Sequence, residues 1–294
     1  MTSVLYDAPG PKARTRTLIS SIVAGVIVLG VVVFVIVRLA NQGQFTAAKW
    51  GPLLDPTNGD FGPVWNLFGQ ALVATLSAAG LTLVFSLVIG TLLAVTRVTA
   101  NRYYRWLVVG VIEFLRGVPV VIAIFFAARV LPQVGIDLPI MWYLVIGLTL
   151  YNCVIIAEIV RAGINALPRG QAEAGYSLGL TQGQVLRSIL LPQAFRIMLP
   201  ALISQLVVIV KDTSLGFIIS YEEFVRTANI IIQTLQNPIQ TYVVVAAIFI
   251  LINYSLGKLA EYVERRLSRG RKTAAAPADA EQEADAAVGA VTGG

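Results

Sequence analysis

Glu113 and Arg116 stand three positions apart, and so do Glu158 and Arg161. On a helix that spacing puts both side chains of a pair on one face. Each pair lies within a long apolar stretch, and a polar run, Lys211-Asp212-Thr213-Ser214, sits in another. Asn152 adds an amide to an apolar setting. Charges at bilayer depth cost about 2.5–3.5 kcal/mol each on insertion scales, so they face protein or water rather than lipid. Two purposes fit these residues. Self-compensated pairs hold helices together, and a cation, an anion and hydroxyl or amide groups line a path for a polar solute. Glu113, Arg116, Asn152, Glu158, Lys211, Asp212, Thr213 and Ser214 are the candidate pathway residues, while Arg161, near the end of its run, reads as structural. Gly117-Val118-Pro119 follows the first pair. Such a break frees backbone groups, which are tolerated at depth only within protein or beside a cavity.

Other chemistry is excluded by composition. The chain has no histidine, which removes a Ser-His-Asp triad, a Cys-His pair and a His-ligated metal or haem. Cys153 is the only cysteine, so no intramolecular disulfide or thiolate cluster can form, and it reads as a small buried apolar residue. A G-x-x-x-x-G-K-[ST] phosphate loop is absent; Gly257-Lys258 is followed by Leu259. No catalytic residue, metal site or cofactor is expected in this chain.

The elements that carry the charges are membrane helices. Of 294 residues 56% are hydrophobic and 13% are charged, against about 25% charged in a soluble domain. Six apolar runs approach the ~20 residues needed to cross hydrocarbon: Leu18–Ala40, Phe68–Thr96, Trp106–Leu131, Ile140–Ile164, Ala201–Ser220 and Ile239–Leu259. The predicted fold is therefore all-α and polytopic, because a helix satisfies its own backbone in lipid. The first run is too long for a signal-peptide core and reads as an uncleaved anchor. Lys12, Arg14 and Arg16, then Arg97, Arg102 and Arg105, then Arg169, Arg187 and Arg196, then Arg265, Arg266, Arg269, Arg271 and Lys272 all fall on one side of a six-span chain. That side is expected to be cytoplasmic, with both termini there. The net charge of +6 is thus read as loop topology and not as nucleic-acid binding.

The predicted divisions are a basic N-terminus (1–17), an extra first span (18–40), an outer loop (41–67) with interfacial Trp50 and Trp65, a core (68–267), and a tail (268–294). Disorder is expected of the Ala/Gly/Asp/Glu-rich tail, most clearly from Thr273. Ala71, Ala74, Ala78, Gly90 and Ala94 have the spacing of helix-packing positions.

Between the fourth and fifth runs lies the densest signal, residues 168–192. Gln171–Leu178 reads as a short helix stopped by Gly179. Thr181 is a plausible N-cap for a second, reaching Leu191 and ended by Pro192. Val185, Leu186, Ile189 and Leu190 make an apolar stripe. Such a pair outside the bilayer suits docking into another protein's groove.

Here the sequence resembles a family. Glu173-Ala174-Gly175, then Gly179, then Ile189-Leu190-Leu191-Pro192 is similar to the E-A-A…G…I-x-L-P signature of ABC importer permeases, with glycine in place of the third alanine. Glu113-Phe-Leu-Arg-Gly-Val-Pro119, Ala157-Glu158-Ile-Val-Arg161-Ala-Gly163 and Lys211-Asp-Thr-Ser-Leu215 resemble stretches of the polar amino-acid permeases. Together they cover about Gly69 to Leu267, in order. The longer N-terminus resembles glutamate-uptake permeases. The resemblance implies the type I importer permease core and a coupling role for Glu173, Ala174, Gly175, Gly179, Ile189, Leu191 and Pro192. It also implies a cytoplasmic ATPase dimer that binds ATP and Mg, a second permease subunit, identical or homologous, and an extracellular solute-binding protein. A zwitterionic amino acid suits a path with charges of both signs. An ion-gradient-driven secondary transporter or channel could use the same charges, but gives no reason for the paired-helix loop.

Overall fold

The computed structural model describes the backbone of residues 10–291 and the side chains of residues 12–266. Among the described residues the chain is helical with no strand. The elements are α1 (Pro11–Asn41), α2 (Ala47–Leu54), α3 (Phe61–Thr99), α4 (Arg102–Gly117), α5 (Val120–Gln133), α6 (Ile140–Asn165), α7 (Arg169–Ser177), α8 (Gln182–Val185), α9 (Leu191–Asp212), α10 (Phe224–Leu235) and α11 (Pro238–Val291). A π-helical turn, Leu186–Leu190, joins α8 to α9, and a 3₁₀ segment, Thr213–Ile219, extends α9.

Five stretches are long and apolar enough to cross a membrane, and α4 with α5 makes a sixth that bends by 97° at Val118-Pro119. The bend has a local cause. Pro119 has no N–H, Val118 is extended (φ −83°, ψ 120°), and the Val118 N–H closes the end of α4 on the Leu115 carbonyl. Five continuous stretches are thus present, and the bent pair makes six, the number of apolar runs in the sequence, where it crosses as one broken span. This is a multi-pass membrane protein.

The core is the contact of α3 with α6, backed by α9 and α11. Ala71 and Ala78 are fully buried, and Ala94 nearly so. A Cβ on Gly90 would fall 2.6 Å from the Cys153 carbonyl oxygen, and one on Gly147 would fall 2.5 Å from the Ile124 Cα. These glycines let helix backbones touch, as small residues do in membrane packing. Ile156, Ala157, Val160, Ala194 and Met198 fill the half of the bundle nearest α7 and α8. Phe68, Phe224, Ile231 and Val245 fill the half nearest α2 and α10.

Two expectations need correction. The stretch 41–67 is not simply a loop: it contains α2 and the start of α3 at Phe61, and Leu53 is fully buried in one cluster with Val64, Phe68 and Phe224. Trp50 and Trp65 donate to the Gln44 and Leu53 carbonyls, at 3.0 and 3.1 Å. Pro192 does not end a helix. It occupies the first turn of α9, where its missing N–H is tolerated, and the turn before it widens into the π form. The fifth span therefore starts far earlier than Ala201. The backbone of α11 runs helical to Val291; the side chains beyond residue 266, where disorder is expected, lie outside the described residues.

Candidate functional site

The unit between α6 and α9 is built almost entirely from local rules. α7 ends in a Schellman arrangement: the Leu180 N–H reaches the Gly175 carbonyl at 3.2 Å and the Gly179 N–H reaches Tyr176 at 2.9 Å. Gly179 has φ +78°, a conformation costly for a residue with a Cβ. Thr181 then opens α8 with a capping box. Its Oγ1 accepts from the Gln184 N–H, and Gln184 Oε1 accepts from the Thr181 N–H at 2.8 Å. The joint between the two helices is therefore pinned on both sides.

The pair is also packed. Val185 and Leu186 are buried. Gly175 faces them so closely that an added Cβ would stand 2.8 Å from a Val185 methyl and 2.9 Å from Ile189 Cδ1. The glycine that replaces the family's alanine is thus matched to a bulky Val185 and Ile189. Gln193 Nε2 donates to Gln171 Oε1 (3.0 Å) and to the Ile189 carbonyl (2.9 Å), tying α7 to the foot of α9. Leu167, Leu190 and Leu191 seat the unit on Val160, Ile164 and Ala194. Glu173, Ala174 and Pro192 are left exposed, with Tyr176 (48%) and Leu178 (80%) as protruding apolar tips. The coupling residues named from sequence are brought into one body.

The candidate pathway residues are not gathered in one cavity. Glu113 and Arg116 form a 3.4 Å ion pair, both more than half exposed, on the last turns of α4 beside the elbow. Glu158 accepts from Arg97 of α3 and from Arg161, the latter at 2.7 Å. It clasps α3 to α6 near their C-terminal ends. Asn152 is fully buried; its Nδ2 donates to the Leu148 carbonyl (2.8 Å), and its Oδ1 accepts from Gln205 Nε2 (2.7 Å). Lys211 is exposed, Asp212 and Ser214 are partly buried, and buried Thr213 donates to the Val210 carbonyl at 2.7 Å. In the sequence Arg97 reads only as a topology cation, and Gln205 goes unnamed. A basic residue at the end of one span and an amide within another were the available signals.

On the opposite face, Glu223 is fully buried and caps α10, its two oxygens accepting from the Val225 and Arg226 N–H groups at 2.8 and 2.9 Å. Burial pushes its carboxyl up to about 7. Burial also raises the Tyr221 phenol, which donates to the Ala74 carbonyl at 2.8 Å. α10 itself was missed, although Phe224, Thr227, Ala228 and Ile231 have helical spacing behind an acidic cap.

A bundle of apolar spans, one of them broken at mid-length, with an amphipathic pair projecting between α6 and α9, has the architecture of a multi-pass membrane permease. Residues 86–269 match the family of binding-protein-dependent transport system inner membrane components, and the chain belongs to it. The glutamate transport system permease protein GluD of Corynebacterium glutamicum is 40% identical over 237 residues, 79% of this chain and 85% of that protein. The glutamate/glutamine/aspartate/asparagine transport system permease protein BztC of Rhodobacter capsulatus is 36% identical, over 70% of this chain and 49% of its own length. Among solved structures, an amino acid ABC transporter described with histidines is similar at a TM-score of 0.64 and 29% identity, over 70% of this chain and 96% of that one. The chain is an ABC importer permease subunit of the polar amino-acid type.

Proposed function

We propose that this permease imports glutamate or a closely related amino acid, driven by a separate cytoplasmic ATPase pair that binds ATP and Mg. The observation that carries the coupling half of the proposal is the α7–α8 unit. It is rigid within itself, seated on α6 and α9, and tipped by exposed Tyr176 and Leu178. Closure of the ATPase pair draws two such units together, and each transmits its displacement to the foot of α9 through the Gln193 bridge and the π turn. Two permease subunits, identical or homologous, rock between inward and outward states. A solute-binding protein outside favours one state through its different affinity for the two. The basic flanks support a cytoplasmic location for both termini.

For the solute path we infer the elbow between α4 and α5, with Glu113 and Arg116 beside it and Lys211 as a further exposed cation at membrane depth. Two observations support this. An exposed ion pair within a span needs a partner subunit or water to face, and a broken span presents helix ends to whatever fills the cavity. The glutamate specificity rests on the relatives alone.

The test is reconstitution with the ATPase and binding protein in liposomes. Uptake of labelled glutamate should require internal ATP. Glu173→Lys, or deletion of Gly179, should abolish uptake and substrate-stimulated ATP hydrolysis while the complex still inserts. Uptake that survives ATP depletion and collapses with an ion gradient would replace this reading with a secondary transporter.

A further inference from the structure

Midway along the contact of α3, α6 and α9 the packing turns polar. Ala78 of α3 lies among Leu144, Val145 and Leu148 of α6, and Gly90 abuts Cys153 and Ala157. Thr82 and Ser86, between those two contacts, therefore stand level with Thr149 and Asn152. On the third side Ala79 packs with Ile209 and Val210. As α9 runs opposite to α3, Gln205 comes level with Thr82, and it reaches across to Asn152.

Thr82 and Ser86 are fully buried and Thr149 is 6% exposed, yet none of the three hydroxyls has a hydrogen-bond partner in the chain. Other helix hydroxyls are satisfied: Thr96, Thr99, Ser204 and Ser255 each donate to the carbonyl four residues back. The hydroxyls of Thr75 and Thr91, farther along α3 on either side, are also buried without a partner, but Thr82, Ser86 and Thr149 are the ones that stand level with one another, and unpaired hydroxyls at this depth are costly. At the same level lies a pair of amides, each with a second N–H hydrogen to give: Asn152 uses one on Leu148, and Gln205 uses one on Asn152. Three hydroxyls and two amides converging from three helices supply the two to four polar partners a buried water requires.

We propose that Thr82, Ser86 and Thr149, with the Asn152–Gln205 pair, form an internal water-binding site at the pivot where α9 packs on α3 and α6. A bound water exchanges partners as the helices shift, so α9 can move without exposing an unpaired amide. The site itself is independent of the transport reading; its role as a pivot rests on that reading.

Cryo-electron microscopy of the assembled transporter in lipid nanodiscs, at a resolution that shows ordered water, tests the site. Density should lie within about 3.2 Å of at least two of the three hydroxyls. Hydroxyls turned onto their own helix carbonyls with no density between them overturn it. For the pivot, Thr82→Val removes the hydroxyl at nearly constant shape and Thr82→Ser keeps it. Thr82→Val should slow glutamate uptake about fivefold or more with half-saturation unchanged, and Thr82→Ser should restore the rate. Uptake by Thr82→Val at the parent rate overturns the role. A parent complex that imports no amino acid overturns the transport reading and the pivot together, while the density still decides the water site.

Discussion

Glu158 shows how a carboxylate at the edge of the bilayer differs from an ordinary surface charge. It serves two arginines at once, one from α3 and one a turn along its own helix, at 26% side-chain exposure. Glu158→Gln leaves both guanidinium groups without a counter-charge and should destabilise the protein by about 2 kcal/mol. The thermal midpoint of the purified chain checks this, and an unchanged midpoint refutes it. Glu223 acts in the opposite direction. Its carboxyl is pushed up to about 7 from an ordinary 4.5, so the folded chain holds a proton that the unfolded chain has already released. Between roughly pH 4.5 and 7 stability must therefore fall as pH rises, then level off. In Glu223→Gln that fall should be shallower, which melting curves at pH 5, 6, 7 and 8 will reveal; parallel curves for the two proteins would refute the assignment.

At the scale of elements, the α7–α8 unit depends on the fit of a glycine into a methyl-lined notch. Gly175→Ala presses on the ends of Val185 and Ile189, of which Ile189 Cδ1 can swing aside, so a modest loss of coupling is expected. Gly175→Val cannot be accommodated that way. It should separate α7 from the π turn and abolish substrate-stimulated ATP hydrolysis, while membrane insertion, read by protease protection, is retained. This unit was legible in the sequence because its determinants are local: a glycine stop, a capping box and a stripe at helical spacing. The long helices were legible by apolar length. What misled was also local. Pro192 reads as a terminator until the widened turn before it is seen, and α10 is hidden because its partners, Leu53, Phe68 and Val245, lie far off in sequence. The pairing of Asn152 with Gln205 joins positions on separate spans, which one chain's sequence does not register.

Across the whole molecule, α1 stands apart. Its apolar window buries nothing against the described residues, and its connection is the segment 42–60, where Gln240 of α11 donates to the Gln44 carbonyl and Asn237 donates to that of Lys49 at 3.1 Å. Deleting residues 1–40 should therefore leave the thermal midpoint of the core and its binding to the ATPase nearly unchanged, as checked by melting and co-purification; a core that aggregates would show that α1 is required. Its apolar stretch, Leu18–Ala40, measures about 35 Å at about 1.5 Å per residue, against about 30 Å of hydrocarbon. With no neighbour among the described residues of this chain, its tilt is free to follow the thickness of the surrounding lipid. Gln44, just past its C-terminal end, is fastened to α11, so a lean of α1 in a thinner bilayer pulls first on that hydrogen bond.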